Sequence, residues 1–120
     1  MRAVVLANGI VEQPMRIRKR LEPADTVIAA DGGALLQRPL GLTLDSVIGD
    51  MDSLTAQQQG DLKSQGVEMI VHPRDKDQTD LELAVSLAVQ RGADRVDIVG
   101  ATGGRWDMTL SNVMLLARDD

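Results

Sequence analysis

Ser46-Val47-Ile48-Gly49-Asp50-Met51-Asp52-Ser53 decides how the rest of the chain is read. Ser46-Val47-Ile48 ends an apolar run too short and too β-branched for a helix, and it reads as a buried strand. Gly49 lets the backbone turn sharply where that strand ends. The carboxylates of Asp50 and Asp52 then stand at the strand's carboxyl end, the edge at which open α/β sheets bind their ligands. Two hard oxygen ligands on a turn suit Mg²⁺, which takes one or two carboxylates and otherwise keeps water or phosphate.

Outward from this stretch, apolar runs alternate with helical patterns from end to end, as βαβ units do. The expected fold class is α/β, a Rossmann-like three-layer α/β/α arrangement with a mainly parallel sheet. Strands are expected at residues 3–7, 26–30, 67–71 and 95–99 in addition to the opening one. A weak, basic helix is expected at 14–21, and a short one through Leu35 and Leu36 that Pro39 stops. A polar helix at 55–65 opens on the capping box Thr55-Ala56-Gln57-Gln58 and ends at Gly66. A second box, Thr79-Asp80-Leu81-Glu82, opens an apolar helix that runs to Arg91 and ends at Gly92. A last helix is expected from about residue 107 to 117. No repeat, linker or low-complexity tract interrupts the 120 residues, which read as one domain.

Composition narrows the chemistry. Apolar residues make up 43% of the chain, yet there is no Phe, no Tyr and one Trp, so the core must be aliphatic. The absence of cysteine excludes disulfides, thiolate zinc sites and a thiol nucleophile. His72 is the only histidine and reads as a strand end, which leaves a Ser-His-Asp triad without a well-placed base. No apolar run approaches the roughly 20 residues of a membrane span. The start, Met1-Arg2-Ala3-Val4-Val5-Leu6, enters a strand without a secretory signal's layout, so a cytoplasmic protein is expected. A net charge of −5 argues against nonspecific nucleic-acid binding. Asp outnumbers Glu by 14 to 4, partly because Asp suits turns and helix caps.

Every strand end carries turn or acidic residues: Asn8-Gly9, Asp31-Gly32-Gly33, Gly49-Asp50-Met51-Asp52, the stretch 75–80, and Gly100-Ala101-Thr102-Gly103-Gly104-Arg105. Right-handed crossovers bring all five to one edge of a parallel sheet. Any one of them alone reads as ordinary loop chemistry; five together do not. In His72-Pro73-Arg74-Asp75-Lys76-Asp77-Gln78-Thr79-Asp80, Lys76 or Arg74 can neutralise phosphate oxygens, and Asp77 or Asp80 can complete a metal site. Asp80 fits a helix-dipole role in the first turn equally well. Gly103-Gly104-Arg105 before a helix start looks like a phosphate cradle, although it is neither a Walker A nor a G-x-G-x-x-G motif. Asp107 serves as well for an N-cap, Trp106 for a core residue, and Arg16, Arg18, Lys19 and Arg20 for a solvated helix face.

Taken in order, Asn8-Gly9, Asp31-Gly32-Gly33, Gly49-Asp50-Met51-Asp52-Ser53, Lys76-Asp77-Gln78-Thr79-Asp80 and Gly103-Gly104-Arg105-Trp106-Asp107 resemble the motifs of the thiamine pyrophosphokinase family. The resemblance implies an α/β catalytic domain that binds Mg-ATP and moves pyrophosphate onto the hydroxyl of thiamine, giving thiamine diphosphate and AMP. It implies Mg²⁺ at Asp31, Asp50, Asp52 and Asp80, with Asp50, Asp52, Asp80 and Arg105 as the catalytic set. It implies a nucleotide site with Asn8, Asp31, Gly32, Gly33, Ser53, Lys76, Asp77, Thr79, Gly103, Gly104 and Asp107. Family members continue into a β-rich domain that contributes to thiamine binding and to a homodimer, so this chain is expected to be the amino-terminal catalytic domain alone. No nucleic-acid or membrane partner is expected.

Rival readings come from other classes. A two-component receiver needs an acidic pair after its first strand and a late Lys, and this chain has neither. A haloacid-dehalogenase-like phosphatase wants its Asp-x-Asp after the first strand, whereas here it follows the third. A nucleotide- or metal-binding module that does not turn over without its partner domain stays open.

Overall fold

The computed structural model describes residues 1–7, 18–19, 24–72, 79–100 and 113–114. Strands β1 (Arg2–Leu6), β2 (Thr26–Ala30), β3 (Ser46–Gly49), β4 (Glu68–Val71), β5 (Arg95–Val99) and β6 (Val113–Met114) form one sheet in the order β4-β3-β2-β1-β5-β6. The first five are parallel, and β6 pairs antiparallel with β5. The helical elements include a 3-10 helix (Asp31–Leu36), α1 (Gln37–Leu40), α2 (Ala56–Ser64) and α3 (Asp80–Gln90).

The two-residue period of the strands sorts their apolar side chains onto two faces. Val5, Ile28, Ile48, Val96 and Ile98 meet Leu83, Ala84, Val85 and Ala88 of α3 on one face. Val4, Leu6, Val27, Val47 and Val99 meet Ala34, Leu40 and Leu62 on the other. Strands buried on both sides read as continuous aliphatic runs, which is why β1, β2 and β5 are legible from sequence. The layers are therefore α/β/α, as expected. Helix α3 is the crossover from β4 to β5 and lies across β1, β2 and β3, so its first residue arrives over the carboxyl ends of the central strands.

Helix α2 buries only Leu62 and depends on its ends. Thr55 Oγ1 accepts from the Gln58 N–H at 3.1 Å while Gln58 Oε1 accepts from the Thr55 N–H at 2.9 Å, a complete capping box. At α3 only half of the expected box forms. Thr79 Oγ1 accepts from the Glu82 N–H at 3.1 Å, but Glu82 Oε1 accepts from the Thr79 hydroxyl at 3.3 Å rather than from its backbone.

Two expectations require correction. Pro39 does not stop the short helix; it lies in the first turn of α1, where a missing N–H leaves no hydrogen bond unmade. The helix ends one residue later, on Gly41 at φ 65°, whose N–H donates to the Arg38 carbonyl at 3.0 Å. The expected last helix meets a second correction at Val113–Met114, which is a strand. Short apolar runs do not distinguish helix from strand by period, and here pairing with β5 decides. Of the expected helix at 14–21, Arg18 and Lys19 are described and are helical. Among the described residues, no helix is long and apolar enough to cross a membrane.

Candidate active site

Neighbouring strands β2 and β3 set Ala30 opposite Ile48, so the residues that follow each strand emerge side by side. Asp31 follows β2 directly and is 3% exposed. Its backbone has φ 44°, a left-handed conformation that Asp tolerates better than most residues. After β3, Gly49 and Asp50 lead into Met51 at φ 67°. The Met51 side chain is buried in the cluster beneath the sheet, and burying it contributes roughly 1.5–3 kcal/mol. That is comparable to the ~1–3 kcal/mol cost of a strained backbone position, so the core can hold the turn. On either side of this anchor, Asp50 is half-buried and Asp52 exposed.

One hydrogen bond closes the turn after β3 and a second ties it to the loop after β2. The Asp52 N–H donates to Asp50 Oδ1 at 3.0 Å, and the Ser53 N–H donates to Asp31 Oδ1 at 3.2 Å. From the opposite direction, α3 contributes Asp80, its first helical residue after the Thr79 cap. Carboxylate oxygens of Asp31, Asp50 and Asp80 come within 4.8 Å of one another. Burial pushes the Asp31 carboxyl up to about 6, assisted by its hydrogen bond with Asp50 and by the charges of Asp80 and Asp50, while the Ser53 N–H opposes the rise.

Two glycines permit these approaches. A β-carbon on Gly33 would collide with the Leu6 carbonyl oxygen, so only glycine lets the 3-10 helix press onto the end of β1. A β-carbon on Gly49, at φ 146°, would crowd the Asp80 carboxylate.

Sequence-expected residues fall into three groups. Asp31, Asp50 and Asp80 are brought together. Asp52, Ser53, Gly32, Gly33 and Thr79 line the same turns: Ser53 through its N–H, Thr79 as a helix cap, Gly33 through its backbone contact, and Asp52 exposed beside Asp50. Asn8, Lys76, Asp77, Gly103, Gly104, Arg105 and Asp107 lie outside the described residues. Met51 was not expected to contribute, and only its burial in a left-handed turn reveals that it does. A cavity of about 180 Å³ lined by Leu35, Arg38, Gln58 and Asp61 includes none of the three carboxylates.

Three hard carboxylates this close repel when ionised, and either a proton or a divalent cation relieves the repulsion. The donor set fits Mg²⁺, which prefers oxygen ligands. It does not suit a soft metal, for which no thiolate exists in the chain.

Relatives carry the same architecture. A family model described as the catalytic domain of thiamin pyrophosphokinase matches residues 17–120. A thiamine pyrophosphokinase of Bacillus subtilis is 36% identical over 89 residues, covering 74% of this chain and 42% of that protein. A crystallised thiamin pyrophosphokinase family protein of Enterococcus faecalis superposes with a TM-score of 0.67 at 31% identity, over 98% of this chain and 52% of that one. The Bacillus subtilis crystal structure also gives 0.67, at 27% identity, over 89% of this chain and 50% of that one. The chain thus spans about half the length of these relatives, and it belongs to the thiamin pyrophosphokinase catalytic-domain family.

Proposed function

We propose that this chain is the amino-terminal catalytic domain of a cytoplasmic thiamine diphosphokinase, which moves pyrophosphate from Mg-ATP to thiamine. The observation that carries this reading is the convergence of Asp31, Asp50 and Asp80 at the carboxyl edge of the sheet in a chain of this family. The thiamine hydroxyl oxygen forms a bond to the β-phosphorus of ATP as its O–H bond breaks and the proton passes to solvent. The bond from that phosphorus to the α,β-bridging oxygen breaks, leaving AMP and thiamine diphosphate.

Asp31, Asp50 and Asp80, with Asp52 beside them, hold Mg²⁺, which when bound neutralises charge on the phosphate oxygens. The chain's own part is mostly positioning. The Ser53 N–H keeps the buried Asp31 carboxylate aimed at Asp50, and the capped start of α3 delivers Asp80. Lys76 and Arg105 oppose the remaining phosphate charge, with Arg105 among the catalytic residues. Asn8, Gly32, Gly33, Ser53, Asp77, Thr79, Gly103, Gly104 and Asp107 complete the nucleotide side. Thiamine contacts come mostly from the family's second domain and from a homodimeric partner.

In the full-length enzyme, Asp50→Asn is expected to reduce AMP release about 100-fold or more, as loss of one charge-stabilising group does. Near-normal turnover at saturating Mg²⁺ would contradict the assignment. The second reading, a nucleotide- or metal-binding module without turnover, needs only the three gathered carboxylates. Calorimetric Mg-ATP titration and a thiamine diphosphate assay on the same 120-residue sample separate the two, since binding without product points to the module.

A further inference from the structure

The carboxylate of Asp80 lies broadside over Gly49. A β-carbon built there would stand 3.0 Å from Asp80 Cγ, 3.0 Å from Oδ2 and 3.1 Å from Oδ1. Three nearly equal distances mean that the whole carboxylate group rests on the space a side chain would fill. Gly49 itself is held in the sheet, because its carbonyl accepts from the His72 N–H at 2.7 Å and its neighbour Ile48 is buried. The contact falls on the end of a side chain at the start of a helix, and at this distance it is the Asp80 carboxylate that must give. Any residue larger than glycine would therefore shift the Asp80 carboxylate from the place it holds beside Asp31 and Asp50.

From this we infer that Gly49 is a positioning residue whose missing side chain sets the distance of Asp80 from the other two carboxylates. Turn geometry alone would also select glycine at φ 146°, but it gives no reason for the effect of a substitution to pass through Asp80. The inference rests on the metal reading above and adds a residue that touches neither cation nor substrate.

A double-mutant cycle on the 120-residue chain, read by Mn²⁺ affinity from electron paramagnetic resonance, tests it. Gly49→Ala is expected to weaken Mn²⁺ binding about 10-fold or more, the effect typical of displacing a group that orients a ligand. In an Asp80→Ala background, with no carboxylate left to displace, Gly49→Ala is expected to leave the already weakened affinity unchanged. Unaltered affinity in the folded single variant overturns the inference, and so does an equal loss in both backgrounds. If Gly49→Ala alone fails to fold, recovery of folding in Gly49→Ala/Asp80→Ala supports the steric contact, and failure of both overturns it. Failure of the metal reading is distinct: the unaltered chain then takes up no Mn²⁺, and the inference falls with it.

Discussion

The two ends of the sheet use aspartate in opposite ways. Towards the amino ends of the strands, each described aspartate is matched within the chain. Asp97, 1% exposed, takes Arg2 at 2.7 Å and Arg95 at 3.4 Å. Asp45 accepts from the Val27 N–H at 2.7 Å and the Thr26 hydroxyl at 3.2 Å. Asp25 accepts from the Arg2 N–H at 2.7 Å. Asp94 meets the amino-terminal ammonium at 3.1 Å, which holds its carboxyl below the usual range. At the carboxyl ends, Asp31, Asp50 and Asp80 are gathered around one another. Matched carboxylates hold strands together; gathered ones form a centre of negative charge whose relief comes from a proton or an added cation.

The largest effect is expected from breaking the matched end. Asp97→Ala leaves the mostly buried Arg2 guanidinium facing a void, and loss of one partner of a buried pair costs about 3–5 kcal/mol. Urea unfolding that moves by much less would mean that the two ends do not differ as described. The gathered end behaves otherwise. Asp50→Asn is expected to keep or raise metal-free stability, since it removes repulsion, while it lowers turnover in the full-length enzyme about 100-fold or more.

A subtler contrast lies in pH. With Asp31 pushed from 3.8 up to about 6 in the folded chain, the folded state binds a proton that the unfolded chain has already released. Its contribution to stability is therefore full below about pH 4 and is lost as pH rises through about 6. Asp31→Asn is expected to abolish this decline and to raise metal-free stability at pH 7 by up to about 3 kcal/mol. The difference between the two unfolding curves, followed from pH 4 to 7, checks the sign; a variant less stable than the parent at pH 7 would contradict it. The smallest effect concerns neither end. Thr55→Ala removes the cap of a helix that buries only Leu62 and is expected to cost about 1 kcal/mol in thermal unfolding.

Much of this arrangement was legible in sequence where the physics is local. Residues 26–30 and 95–99 are strands to the residue, because β-branched aliphatic runs between turn residues have few alternatives. The capping box at Thr55 formed in full for the same reason. Gly49-Asp50-Met51-Asp52 could be placed at a strand end, and parallel topology brought Asp31 and Asp80 towards it. What escaped the sequence depends on contacts between distant residues or on fine backbone geometry. Pro39 reads as a breaker until its place in a first turn is known. Val113–Met114 is a strand because β5 offers it an edge. Asp50 and Asp52 look equivalent in sequence, and the left-handed Met51 between them sends one towards Asp31 and leaves the other exposed. Nothing local to Gly49 reveals that a helix start some 30 residues later rests on it.

The central claim is that the gathered end is a cation site and the matched end is not. Mn²⁺ titration of the 120-residue chain, with Asp50→Asn and Asp45→Asn as paired variants, tests it most directly. Asp45→Asn keeps an oxygen acceptor for Val27 and serves as the control from the amino end. Saturable binding is expected in the unaltered chain and in Asp45→Asn, and its loss in Asp50→Asn. Equal binding by all three, or equal loss in both variants, would contradict it.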